Sequence, residues 1–340
     1  MRKLLLACFL LSAPASAQAQ QCGNLVRAMS LDLDDHGNYF TVPVTVNGQP
    51  KHFLLDTGGA FTQISLATAK AMNLAIAPSR FQTFDMYGNS SAGQVRIDVG
   101  VGRLTAKNED VIVTGLGIAD GIFAADFMQN YDIDIDFAAK KLNYFLTDHC
   151  DGRVVYWPAG VVAAVPFHGW NSHGDSHMNV TVKLDGHEMT AMIDTGASGT
   201  TLDAGTASQL FGLTPESPGA VPLGTMGANN RKVFGWAFKT LEIGGLTIRD
   251  PHMRVIPELM GKNDDSNIAA DSHIRRITDG LQPTMLIGMN TLRKLHMYIA
   301  FKERKLYLTA GSDQVTQRPA GAQAPGAPAA AAPTPAAAGN

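Results

Sequence analysis

Residues 38–47 alternate polar and apolar side chains, the period of a half-buried strand. Asn47-Gly48 then supplies a type I′ turn, and a return strand from His52 to Leu55 delivers Asp56 at its end. Ser65 stands where it caps a short helix reaching about Asn73. Turn-forming residues from Met86 to Gly93 predict a hairpin tip carrying Tyr87, and strand-like runs follow at Val95–Val101 and Asp110–Val113. Between Tyr131 and Phe137 acidic and apolar residues alternate. Period 2 puts Ile133, Ile135 and Phe137 on one face and Asp132, Asp134 and Asp136 on the other, so the acids read as a solvated strand face and not as a calcium loop.

The same pattern returns from about Val165. Val180 to Leu184 is a strand, Asp185-Gly186 a turn, and Met189 to Ile193 a return strand ending at Asp194. Asp203 caps a helix through Phe211 that stops at Gly212. Asp56-Thr57-Gly58 and Asp194-Thr195-Gly196 are 138 residues apart, and at that offset Val42 falls on Val180, Val44 on Val182, Gly48 on Gly186 and Thr62 on Thr200. A single D-T-G arises by chance in roughly one chain in ten to twenty of this length, but two inside one repeated frame define a duplicated unit. The offset grows to 142 at Leu104/Leu246 and to 164 at Asp126/Asn290, so the second unit holds 22 extra residues within about 257–283. These read as a polar loop or short helix beside the site. The duplication predicts an all-β chain with short helices, built as two pseudo-symmetric lobes.

Composition narrows the setting. With 340 residues, 45% hydrophobic and 17% charged, the chain suffices for one large or two modest cores. Arg2 and Lys3, the apolar run Leu4 to Leu11 and the A-x-A sites at Ala15–Ala19 predict a secretory leader over 1–19, with the mature protein in the periplasm or outside the cell. Without Arg2 and Lys3 there remain 25 basic against 30 acidic residues, and no basic stripe points to nucleic acid. No apolar run reaches the ~18–20 residues of a membrane span. Cys8 leaves with the leader. Cys22 and Cys150 flank the first unit and are expected to pair, fastening an N-terminal arm (20–37) to a linker (148–164). His168, His173 and His177 cluster before the second hairpin, but among Gly, Asn, Ser and Asp they read as a surface turn, and no metal site is expected. After residue 310 the chain is nearly all Ala, Pro, Gly and Gln, a disordered tail over 311–340.

Two carboxylates about 3 Å apart cannot both ionise and share a proton. The charged one then serves as base toward a water held between them, while the protonated one polarises a peptide carbonyl and later protonates the leaving amine. Duplicated lobes place equivalent side chains on one axis, which makes Asp56 and Asp194 the candidate catalytic pair. Thr57, Gly58, Thr195 and Gly196 are the expected supports, with the two threonines hydrogen-bonding across the join.

Residues 38–147 and 165–310 resemble the retropepsin-type aspartic peptidases, fused in one chain as in the two-lobed pepsin-like enzymes. The resemblance rests on the two D-T-G loops and on the apolar-apolar-Gly brace at Leu286-Ile287-Gly288; in the first lobe its counterpart is Ile122-Phe123-Ala124, with Ala in place of Gly. It implies two acid-protease-like β-barrel lobes with the active site in the cleft between them. It also implies an aspartic endopeptidase acting on peptide or protein substrates, no metal or organic cofactor, and a monomer whose lobes pair within the chain. Tyr87 and Gly88 resemble the flap tyrosine and glycine, and Met226 and Gly227 hold the corresponding place in the second lobe. The alternative is a peptide-binding relative without turnover, motivated by Ala124 and by the second flap, which lacks a tyrosine. Neither Gly59 nor Ala197 offers the hydroxyl that in the pepsin-like enzymes favours the charged dyad, so activity is expected at mildly acidic to neutral pH.

Overall fold

The computed structural model describes residues 22–79, 91–115, 117–169, 177–226, 230–257, 259, 282–311 and 315–317. Both D-T-G hairpins form as the sequence dictates. Asn47 and Gly48 take φ of 49° and 79°, and Asp185 and Gly186 take 45° and 86°, the paired positive values of a type I′ turn. The turns join Phe40–Val46 to Gln49–Leu55 and Asn179–Leu184 to His187–Ile193. The helices Leu66–Ala71 and Ala204–Phe211 are capped by Ser65 and Asp203, and the second stops at Gly212 with φ of 65°.

The first lobe is a closed barrel of six strands. Phe40–Val46 pairs with Gln49–Leu55, which runs parallel to Gly121–Phe123. That strand pairs with Gln63–Ser65, which runs parallel to Leu104–Thr114. Leu104–Thr114 pairs with Gly93–Val101, whose end pairs back onto Phe40–Val46 and closes the ring. Phe40, Val42, Val44, Val46, Phe53, Leu55 and Phe123 point into the barrel core. Thr41, His52, Leu54 and Ile122 therefore face outward on the side that carries Asp56.

Among the described residues the second lobe repeats this plan with a break in its long strands and two added edge strands, Val221–Met226 and Val315–Gln317; the latter pairs with Leu246–Arg249, so the stretch expected to be a disordered tail holds a paired strand near its start. Where the first has a bulge between Ile97 and Val99, the second splits the same two long strands. They become Arg231–Ala237 plus Thr240–Ile243, and Leu246–Arg249 plus His252–Ile256. The backbone bonds Phe238 N→Pro251 O and Asp250 N→Lys239 O, both 3.0 Å, bridge the gap.

A third sheet draws strands from both halves, in the order Arg27–Asp32, Lys141–Phe145, Asp132–Asp136, Leu295–Ala300, Lys305–Ala310, Ala163–Pro166. Asp134 stands opposite Tyr298 in its central antiparallel pair. At the offset of 164 these two positions are also equivalents in the duplication, so the local twofold axis passes between them. Ile133, Ile135, Met297 and Ile299 join the main core on one face.

The other face corrects the sequence reading. Asp132 and Asp134 are fully buried, not solvated. The segment after the first lobe passes beneath the sheet and supplies two of their partners, His149 and Tyr156; the others come from the sheet strands and the turn that follows them. His149 Nε2 lies 2.5 Å from Asp132 Oδ2, and Phe301 N donates to Asp132 Oδ1 at 3.1 Å. Tyr156 Oη and Asn143 Nδ2 each donate to Asp134 Oδ2 at 2.7 Å, and His296 Nε2 lies 2.6 Å from Asp134 Oδ1. Phe145, Val154, Tyr298, Ala300 and Tyr307 pack around them as a second small core. Alternation sorted the acids onto one face; whether that face met water depended on where a distant segment lay. The same segment is fastened to the N-terminus by a Cys22–Cys150 disulfide.

Candidate active site

Asp56 and Asp194 each follow the last residue of a hairpin strand, and the chain then turns back sharply at Thr-Gly. The turn aims two backbone N–H groups at each carboxylate. Gly58 and Gly59 both donate to Asp56 Oδ1 at 2.9 Å; Gly196 and Ala197 donate to Asp194 Oδ1 at 2.9 and 3.0 Å. The two loops are tied to each other by their threonines. Thr57 N donates to Thr195 Oγ1 at 3.0 Å and Thr195 N to Thr57 Oγ1 at 3.1 Å. In turn Thr57 Oγ1 donates to Ile193 O at 2.9 Å and Thr195 Oγ1 to Leu55 O at 2.8 Å. Both threonines are 1% exposed, so all four bonds lie out of water's reach.

The glycines are required by the close approach of the carboxyls. A Cβ on Gly58 would lie 2.5 Å from Asp194 Cγ, and a Cβ on Gly196 would lie 2.5 Å from Asp56 Cγ. Each carboxyl thus sits against the backbone of the opposite loop. The two carboxyls hydrogen-bond each other. Burial raises the Asp56 carboxyl above its ordinary value, while the bond with Asp194 and the Gly58 and Gly59 N–H groups pull it down. Asp194 is raised further, first by burial and then by the charge of Asp56. The pair therefore titrates as a unit and keeps a shared proton above the ordinary carboxylate range.

Sequence reasoning aligned Thr62 with Thr200 and Asp126 with Asn290 but gave them no role. They form the outer brace of each loop. Thr62 N and Oγ1 donate to Asp126 at 2.8 and 2.6 Å, and Thr200 N and Oγ1 both donate to Asn290 Oδ1 at 2.8 Å. The hydroxyls also accept from the brace element, from Ala124 N at 3.1 Å in one lobe and Gly288 N at 3.2 Å in the other. Their equivalence in the duplication, at offsets of 138 and 164, was the available signal. His177, read as part of a surface turn, is instead buried at 9% exposure two residues before the strand pair that leads into Asp194, where a protonated imidazole would pull the Asp56 carboxyl down.

On the dyad side of the second lobe Met192, Val233, Ile256, Leu259 and Leu286 form a separate apolar cluster, with half-buried Met226 against it. Tyr87, Gly88, Gly227, His173 and most of the 257–283 segment lie outside the described residues. Among the described residues no helix is long and apolar enough to cross a membrane.

Two β lobes meeting at paired D-T-G loops, with a shared sheet beneath, are the architecture of a two-lobed, retropepsin-like aspartic peptidase. An aspartyl protease family model matches residues 42–127 and 180–291, more than half of the chain, and the chain belongs to that family. A comparison with curated proteins found no match.

Proposed function

We propose that this protein is an aspartic endopeptidase in which Asp56 and Asp194 activate one water for attack on a peptide bond. The observation that carries the reading is the pair of hydrogen-bonded carboxyls held against each other's loops by four buried threonine bonds. In the free protein the pair shares one proton; with that proton written on Asp194, Asp56 is the carboxylate. Asp56 takes a proton from the water as its oxygen adds to the scissile carbonyl carbon. The Asp194 proton moves to the carbonyl oxygen, giving a neutral tetrahedral diol. Collapse breaks the C–N bond: the proton on Asp56 passes to the leaving amine, and as the C=O re-forms a diol hydroxyl gives its proton back to Asp194. Every proton taken is returned, so the chemistry calls on no group beyond the two carboxyls.

The dyad is drawn from both halves of one chain, which supports a monomer complete in itself, and sedimentation at working concentration tests this. The leader-like residues 1–19 and the Cys22–Cys150 bond, which persists in oxidising compartments, support a periplasmic or secreted mature protein. The activity itself is tested by incubating the leader-free protein with a peptide library beside an Asp194→Asn variant. Cleavage that falls by about 10³-fold or more in the variant supports the reading. Peptide binding without cleavage in the unaltered protein would overturn it.

A further inference from the structure

A polar cavity of about 380 Å³ opens on the first lobe. Tyr39, Thr41, His52 and Asp120 line it, and all four belong to the face that carries Asp56. Thr41 stands opposite Leu54, and His52 and Leu54 precede Asp56 on alternate residues of one strand. Asp120 precedes Ile122 in the same way on the parallel neighbour, where Ile122 pairs with Leu54. The cavity is thus reached from the dyad along a single strand face. From Asp56 to His52 is four residues, or about 13 Å at strand rise. An extended peptide covers that distance in about four residues, so a side chain three or four positions from the bond cut reaches the cavity.

The lining selects the chemistry of that side chain. Asp120 Oδ1 accepts from Thr68 Oγ1 at 2.9 Å and Oδ2 from the His52 backbone N–H at 3.0 Å, which leaves acceptor capacity on both oxygens. His52 Nδ1 is bonded to Asp34 Oδ2 at 2.8 Å, so a second carboxylate stands beside the cavity. Among the described residues no Lys or Arg lines it. His36 and Tyr39 stack with ring centroids 4.8 Å apart and 15° between planes, giving one flat aromatic wall. A planar cation that stacks on a ring and donates to a carboxylate satisfies both features, and a guanidinium does this better than an ammonium.

We propose that this cavity is a substrate side-chain site that takes arginine three or four residues from the scissile bond, an inference that rests on the peptidase reading and gives its substrate class. The test uses fluorescent peptides with Arg, Lys, Leu or Glu scanned through each position on both sides of one cleaved bond. Equilibrium binding is measured by anisotropy to the Asp194→Asn protein, and cleavage by the unaltered enzyme. At one position three or four residues out, Arg binds roughly five- to tenfold tighter than Leu, and Glu binds weaker than Leu. Adding Asp120→Asn removes the advantage of Arg over Leu. Adding Tyr39→Leu, which leaves the Asp120 hydrogen bonds in place, brings Arg down to Lys. Binding that is flat across Arg, Leu and Glu at every position would overturn the site. Arginine selection in binding, with no cleavage of any peptide, would sink the peptidase reading and leave the site standing.

Discussion

The Cβ of Ala124 lies 3.2 Å from where a Cβ on Gly59 would stand. In the second lobe the equivalent pair is Ala197 and Gly288, and there a Cβ on Gly288 would lie 2.7 Å from Ala197 O and 2.5 Å from Gly199 O. Each lobe carries one methyl at this junction, on the brace in the first and on the loop in the second, where the brace glycine is required by the loop's backbone carbonyls. The first-lobe Ala that departs from the family pattern is matched by a Gly in the facing loop. The exchange loosens one bond: Ala125 N reaches Gly59 O at 3.4 Å, against 2.8 Å for Met289 N to Ala197 O.

Gly59→Ala alone therefore overpacks the first loop and is expected to cost about 1–3 kcal/mol and to lower cleavage, since the new methyl also comes 3.0 Å from Asp56 Oδ2. Adding Ala124→Gly recreates the second-lobe arrangement and restores much of both. Denaturant melts of the two single variants and the double should give a coupling of about 1 kcal/mol or more. Strict additivity would show that the two residues do not compete for one space.

The dyad is held at the expense of stability. A carboxyl whose folded pKa is raised binds its proton more tightly in the folded state, so its penalty is absent below the unfolded value of 3.8 and grows as pH rises toward the folded pKa. Asp194→Asn removes that penalty. The variant should be inactive yet melt at a higher temperature than the unaltered protein at neutral pH, with the gap closing near pH 3. A variant that melts lower at neutral pH would contradict the burial argument.

Beneath the shared sheet the sign is opposite. Burial lowers the His149 imidazole, but its hydrogen bond to Asp132 and that carboxylate's charge outweigh burial, and the net direction is up. The stability it contributes is fully present below its ordinary value of 6.5 and is lost as pH rises through the folded pKa. With the two side chains 2% and 0% exposed, His149→Leu leaves Asp132 without this partner and should cost about 3–5 kcal/mol in the acidic range. The difference in melting temperature should shrink in alkaline buffer; a constant difference would rule out the charged pair as its source.

The disulfide closes a loop with a sequence separation of 128 residues, and the chain-entropy account gives about 4–5 kcal/mol for that length. Replacing Cys22 and Cys150 together by Ser should lower stability by up to this amount. Because Cys150 adjoins His149, the same change should speed amide exchange in residues 141–145 and 132–136 more than in the barrel strands. Uniform exchange across the chain would mean the bond does not hold the linker to the sheet.

The duplication, the two hairpins, their caps and the D-T-G loops were legible because each rests on local rules: a period of two, an Asn-Gly or Asp-Gly turn, a side chain that caps a helix. The barrel closure was less so. It depends on Gly93–Val101 bending at a bulge to pair at both ends, and on a complete break at the same place in the second lobe. No residue pattern within either strand announces that difference.

The sequence by itself determined which residues would end each hairpin and that Asp56 and Asp194 would occupy equivalent places, since strand, turn and capping preferences act over a few neighbouring residues. Only the tertiary structure decided that Asp132 and Asp134 are buried beneath the linker, that His177 bears on Asp56, and that Ala124 is accommodated by Gly59. Burial and charge depend on what packs across a gap of a few ångströms, and the partners there are tens to hundreds of residues away along the chain.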